Sequence, residues 1–188
     1  MRQLRLPFLI LAAAAAASPA LAHPGHEADS LFAGLGHPIT GVDHLLAMVA
    51  VGVLASLRGG GAQWAWPAGF LAAMLAGFGL GQVMPGGGVE PAILASVIVL
   101  GGLLAANTRL PAAVGLLLIT GFGLAHGYAH GMEAPAGGAA FPAGFLLSTA
   151  ALHAVGLLIG QGLRERPGFA RLIGVATAAG GFALAVTA

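Results

Sequence analysis

Three stretches of the chain carry side chains able to hold a cation. The first reads His37-Pro-Ile-Thr-Gly-Val-Asp-His44-Leu-Leu-Ala-Met48. On a regular helix, His37 and His44 share a face with Gly41 and Met48, and Asp43 lies about 100° around. Pro38 and Gly41 weaken that helix. Local unwinding would bring Asp43 and both imidazoles together and free backbone carbonyls as further ligands. One carboxylate with two neutral imidazoles makes a nitrogen/oxygen site suited to nickel, cobalt or zinc rather than to Cu(I). The same residues would alternatively form an Asp-His ion pair that braces neighbouring helices.

The second stretch is Ala125-His126-Gly-Tyr-Ala-His130-Gly-Met-Glu133. Its i, i+4 histidines lie on one helix face, one turn apart, and can chelate a single metal. The glutamate that a zinc protease carries between such histidines is missing, so hydrolysis gains no support. A polar helix end facing water would explain Glu133 and His130, and His126 less easily. In the third stretch His153 stands alone, with Thr149 one turn before it and Gly156 after it. It is open to reading as a ligand or as a hydrogen-bonded structural residue. His23 and His26, beside Glu27 and Asp29, form a further polar cluster. That cluster either captures metal loosely or is a solvated tail.

The elements that must position these groups follow from composition. The chain has 188 residues, of which 58% are hydrophobic and 7% charged, and its mean hydropathy is +0.94. A water-soluble domain carries about 25% charged residues, so this chain lacks the polar atoms to cover a water-facing surface. It is read as an all-α integral membrane protein. Cysteine is absent, which excludes disulfides, thiolate metal sites and cysteine nucleophiles. Lysine is absent too, and with it any Gly-rich loop ending in Lys for nucleotide phosphates. A net charge of +1 leaves no footprint for nucleic acid. An Asp at the centre of a spanning helix costs about 2.5–3.5 kcal/mol, so ionisable groups inside spans are candidates for function.

Residues 1–22 have the form of a cleaved secretory signal: Arg2 and Arg5, a short apolar core, then Ala20-Leu21-Ala22. The mature chain would begin at His23, outside the cytoplasm. Pro, Gly and charge then divide the remainder into about six transmembrane helices in one bundle, near 33–57, 64–84, 90–107, 111–131, 140–163 and 170–187. With the N-terminus outside, Arg58, Arg109, Arg164, Arg166 and Arg171 all fall at cytoplasmic ends, while Glu27, Asp29, Glu90 and Glu133 fall at outer ones. This is the positive-inside pattern. Trp64, Trp66 and Tyr128 are expected at the membrane borders. All 32 glycines follow the signal, and spacings such as Gly77/Gly81 and Gly123/Gly127/Gly131 predict close helix contacts. Trp66-Pro-Ala-Gly-Phe70 and Phe141-Pro-Ala-Gly-Phe145 open the second and fifth spans alike, a hint of an inverted three-plus-three repeat.

The motifs H-P-x-x-G-x-D-H-x-x-x-M at 37–48, G-x-A-H-G-x-x-H-G-x-E at 123–133 and G-F-x-x-x-T-x-x-L-H at 144–153 resemble the HupE/UreJ family over essentially the whole mature chain. The resemblance implies a nickel or cobalt permease of the bacterial inner membrane, linked to hydrogenase or urease maturation proteins. It needs no prosthetic group, because Ni2+ or Co2+ is the transported ion. It favours His37, Asp43 and His44 as ligands first, and then His126, His130, Glu133 and His153. Capture from outside would begin at His130 and Glu133, and His153 would line the inner part of the path. Uptake would be driven by the inside-negative potential, worth about 2.3 kcal/mol per charge per 100 mV, by proton exchange at the histidines or by a partner. Proton competition for imidazole should weaken uptake below about pH 6. Two rival classes are an intramembrane zinc hydrolase, with Ser148 as the nearby serine, and a non-transporting accessory protein for metalloenzyme assembly.

Overall fold

The computed structural model describes residues 30–84, 86–134 and 138–187. The expected signal at 1–22 and the His23/His26 cluster lie outside them. Among the described residues the chain is helical throughout, in seven helices: α1 (Leu31–Thr40), α2 (Val42–Arg58), α3 (Ala62–Val83), α4 (Glu90–Ala105), α5 (Ala112–Glu133), α6 (Ala140–Leu163) and α7 (Pro167–Thr187). Four of them, α3, α5, α6 and α7, are long and apolar enough to cross a membrane.

The two remaining expected spans differ from the regular helices of the sequence reading. The first is broken into α1 and α2, which meet at 82°. Ser30 starts α1 by accepting the Ala33 amide at 3.0 Å. Gly41 ends it in an extended conformation, φ −80 and ψ 112. A Cβ on Gly41 would sit 3.1 Å from both Asp43 Oδ1 and His44 Nδ1, so glycine at the corner leaves room for that pair. The third span, α4, has 16 residues. At 1.5 Å per residue it is about 24 Å long, shorter than a hydrocarbon core of about 30 Å.

Packing follows the glycines. α3 pairs with α5, α4 with α7, and both α1 and α2 lie along α6. Exchanging the first three spans with the last three turns this set of pairs into itself, as a three-plus-three repeat does. At the seams, backbone meets backbone. A Cβ on Gly127 of α5 would overlap the Met74 carbonyl oxygen, one on Gly144 of α6 that of Leu31, and one on Gly156 that of Val49. Without a hydrophobic drive between helices in lipid, such van der Waals contact is what joins them. Large apolar residues such as Leu117, Leu158 and Phe182 point outward, as a lipid-facing surface requires. Trp64 is exposed at the start of α3, in keeping with a border residue. Trp66 departs from that expectation: it is buried against Gly115, and its indole N–H donates to the Ala112 carbonyl at 3.0 Å. Tyr128 donates to the Met84 carbonyl at 2.6 Å.

Candidate metal centre

The corner at Gly41 decides how the first motif is displayed. His37 comes from the last turn of α1, and Asp43 and His44 from the first turn of α2. His37 and His44 therefore meet across a bend rather than along one helix face. Their rings stand edge to face with centroids 5.7 Å apart. α5 supplies the third imidazole. His130 Nε2 lies 2.6 Å from His44 Nε2, and its ring centroid is 4.4 Å from that of His37. One nitrogen from each of His37, His44 and His130 lies within 4.8 Å of the other two. Donor atoms around one ion at about 2.1 Å lie about 3–4 Å apart, so the grouping is close to what a single cation needs.

Asp43 stands behind this trio. Its Oδ1 accepts from the His44 amide at 2.8 Å and from His44 Nδ1 at 2.7 Å. A carboxylate can only accept, so His44 carries its proton on Nδ1 and turns the Nε2 lone pair toward His130 and His37. This is the carboxylate–histidine arrangement that fixes ring orientation and raises ligand basicity in metal sites. The structure thus brings Asp43 to the centre through His44 and not as a third donor beside the rings. Glu133, three residues beyond His130, keeps its Oε2 3.7 Å from His130 Nδ1, and its side chain is 62% exposed. It marks the exposed edge of the cluster.

His126 and His153 lie deeper. The His126 ring is 5.1 Å from that of His44, and its Nδ1 donates to the Phe122 carbonyl at 2.9 Å. His153 donates from Nδ1 to the Met48 carbonyl at 2.8 Å. In both, the anchored Nδ1–H leaves Nε2 as a bare lone pair. Four buried side-chain nitrogen or oxygen atoms among the described residues have no hydrogen-bond partner. Three are imidazole nitrogens: His126 Nε2, His130 Nδ1 and His153 Nε2. An unpaired buried polar group costs about 1–3 kcal/mol, so three in succession along one line of rings ask for a further partner. His126 is fully buried and His130 is 2% exposed, so a solvated helix end accounts for Glu133 but for neither histidine.

The aromatic side chains around the rings were not singled out for this role by sequence. The Phe145 ring lies 4.4 Å from that of His130 and 6.0 Å from that of His37. Phe70 lies 5.5 Å from His126 and 5.1 Å from His153. Both close the repeated Pro-Ala-Gly-Phe segments, and that repetition was the available signal. Their rings wall the histidines off from water on one side, which strengthens any charge interaction there.

Comparison with known proteins places the chain in a family. The family model described as "HupE / UreJ protein" matches residues 11–184. Protein HupE of Rhizobium leguminosarum bv. viciae is 41% identical over 183 residues, covering 94% of this chain and 95% of that protein. No solved structure matches the chain.

Proposed function

Since the chain belongs to the HupE/UreJ family, we propose that it is a permease carrying a divalent transition-metal ion, nickel or cobalt, into the cytoplasm. One observation carries the reading. Imidazoles from three separate helices converge within 4.8 Å inside an apolar bundle, with Asp43 behind one of them. Imidazole suits borderline divalent ions of this class. A cluster of this kind in the membrane is costly unless something uses it.

The ion reaches the cluster past Glu133 and sheds water as His37, His44 and His130 replace it. Asp43 holds the His44 proton on the far nitrogen and supplies the negative charge that a dication needs in a low dielectric. His126 is the next donor, through Nε2. Phe70 lies in contact with both His126 and His153, so its ring must turn aside for an ion passing between those nitrogens. Transport is driven by the inside-negative potential, and the imported ion serves the assembly of a hydrogenase or urease centre.

The test is the metal content of cells that lack their own nickel importers and express either the protein or its His44→Ala variant. Nickel, cobalt and zinc are supplied together in trace amounts and counted by elemental mass spectrometry. A selective gain of nickel or cobalt that disappears in His44→Ala is the expected result. No gain of any metal, with the protein present in the membrane, overturns the reading in favour of an accessory role.

A further inference from the structure

The histidines occupy one end of α5, and the other end of the same helix borders a cavity of different character. Its volume is about 410 Å3, and Arg58, Arg109 and Arg164 line it together with Leu and Ile side chains. Five of those apolar residues, Leu54, Leu100, Leu104, Ile119 and Leu163, are buried in the bundle. The cavity lies where the α4–α7 pair and the α3–α5 pair, which touch each other sparingly, meet the ends of α2 and α6.

Among the described residues none of the three guanidinium groups is paired with an acid, and two are held by carbonyls. Arg58 Nε donates to the Leu110 carbonyl at 2.9 Å. Arg164 donates to the Ser56 carbonyl at 3.0 Å from one terminal nitrogen and 3.3 Å from Nε. No lining residue is acidic, and among the described residues both ion pairs are His-carboxylate contacts at the opposite end. Carbonyl oxygens orient these side chains but do not neutralise them. Three positive charges around one cavity repel a dication, so this is no metal station, and they attract an anion. The leucine-rich walls add a second requirement, because a bare hydrated anion gains nothing from them. The ligand must join a phosphate-like head to apolar chains. Arg forks are suited to phosphate oxygens, and basic pockets between spanning helices on the cytoplasmic side take anionic lipid headgroups. A cavity of about 410 Å3 takes the phosphate head of such a ligand and the start of its chains, the rest of which lie in the bilayer.

We propose that this cavity binds one anionic phospholipid. Its phosphate sits among Arg58, Arg109 and Arg164, and its acyl chains leave along the half-buried Leu57, Leu103, Leu110 and Leu118. The arginine end faces the cytoplasm by the positive-inside rule, so the lipid comes from the inner leaflet. There it wedges together two helix pairs that otherwise have little contact. The site is independent of the metal reading, since no histidine is among its lining residues.

The experiment uses the full chain purified in mild detergent and titrated with phosphatidylglycerol or phosphatidylcholine, with retained lipid read by native mass spectrometry. One phosphatidylglycerol per chain is expected, bound at least about fivefold more tightly than phosphatidylcholine. Arg109 is exposed and its side chain has no hydrogen bond among the described residues, so Arg109→Gln should fold normally, with an unchanged lipid-free melting temperature. It should weaken phosphatidylglycerol by about fivefold, and Arg109→Lys should restore most of the loss. Equal retention of the two lipids, or an Arg109→Gln variant that binds as the parent does, overturns the proposal. Displacement of phosphatidylglycerol by millimolar inorganic phosphate also overturns it, by assigning the site to a soluble anion.

Discussion

The two ends of the bundle differ in what surrounds their clusters of polar side chains. At the histidine end, every helix that contributes a ring is locked by glycine contact: α1 to α6 at Gly34 and Gly144, α2 to α6 at Gly52 and Gly156, α5 to α3 at Gly127 and Gly131. Backbones touch there, and imidazole nitrogens stand within hydrogen-bond distance of one another. At the arginine end, side chains bridge helices to the carbonyls of their neighbours, through Trp66 to Ala112, Arg58 to Leu110 and Arg164 to Ser56. A cavity of about 410 Å3 stays open between them. Donors that must share one small ion need helices close together and fixed. A site for an amphiphile needs a gap that long side chains can line.

The sharpest way to break the comparison is to remove a ring from the tight end. His44→Ala should lower cellular nickel or cobalt gain by more than about 100-fold, because it removes a donor and leaves Asp43 without its imidazole partner. Asp43→Asn keeps the donor and loses only the carboxylate behind it. Metal affinity should then fall by about 10–100-fold, the usual cost of deleting such a partner, as measured by metal titration of the purified protein. Equal losses in the two variants would place Asp43 among the direct donors.

Packing gives the next effect in size. Gly127→Ala drives a methyl against the Met74 carbonyl oxygen and should destabilise the protein by about 1–3 kcal/mol. On the lipid face of the same helix, Gly121→Ala meets no atom within 4 Å and should be neutral or stabilising by up to about 1 kcal/mol. Thermal melting in detergent reads both, and similar values would remove the distinction between sealed and open helix faces. The smallest expected change is at the arginine end. Trp66→Phe removes one indole donor from the Ala112 carbonyl and should cost about 1 kcal/mol in the same assay, with metal accumulation unaltered.

Sequence reading went furthest where local rules suffice. The apolar helices follow from hydropathy punctuated by Pro and Gly, and α3, α5 and α6 lie within a few residues of where those signals put them. The α1–α2 break lies at Gly41, beside Pro38, the two residues whose chemistry announces it. The third span was harder to read. The apolar run from 90 to 107 looks like a full span, but Asn107, at φ 52, closes the helix early. Trp66 looked like a border residue because an indole is amphipathic; only the glycine opposite, Gly115, makes space to bury it.

What the sequence determined by itself is an all-helical membrane chain of the HupE/UreJ family, with its histidines toward one end of the spans and its arginines at the other. Residue type and spacing suffice for that, since hydropathy and charge act on each segment separately. The tertiary structure alone decided which histidines meet. His130 is 86 residues from His44, and no periodicity relates them. Their contact depends on the angle between α1 and α2 and on the glycine seams that set how deeply α5 and α6 pack. The same holds for Asp43, which spacing offered as a ligand. The short reach of an aspartate at the first turn of α2 holds it on the far side of the His44 ring. The arginine cavity too is lined by residues from α2 through α7, a property of the assembled bundle and of no single segment.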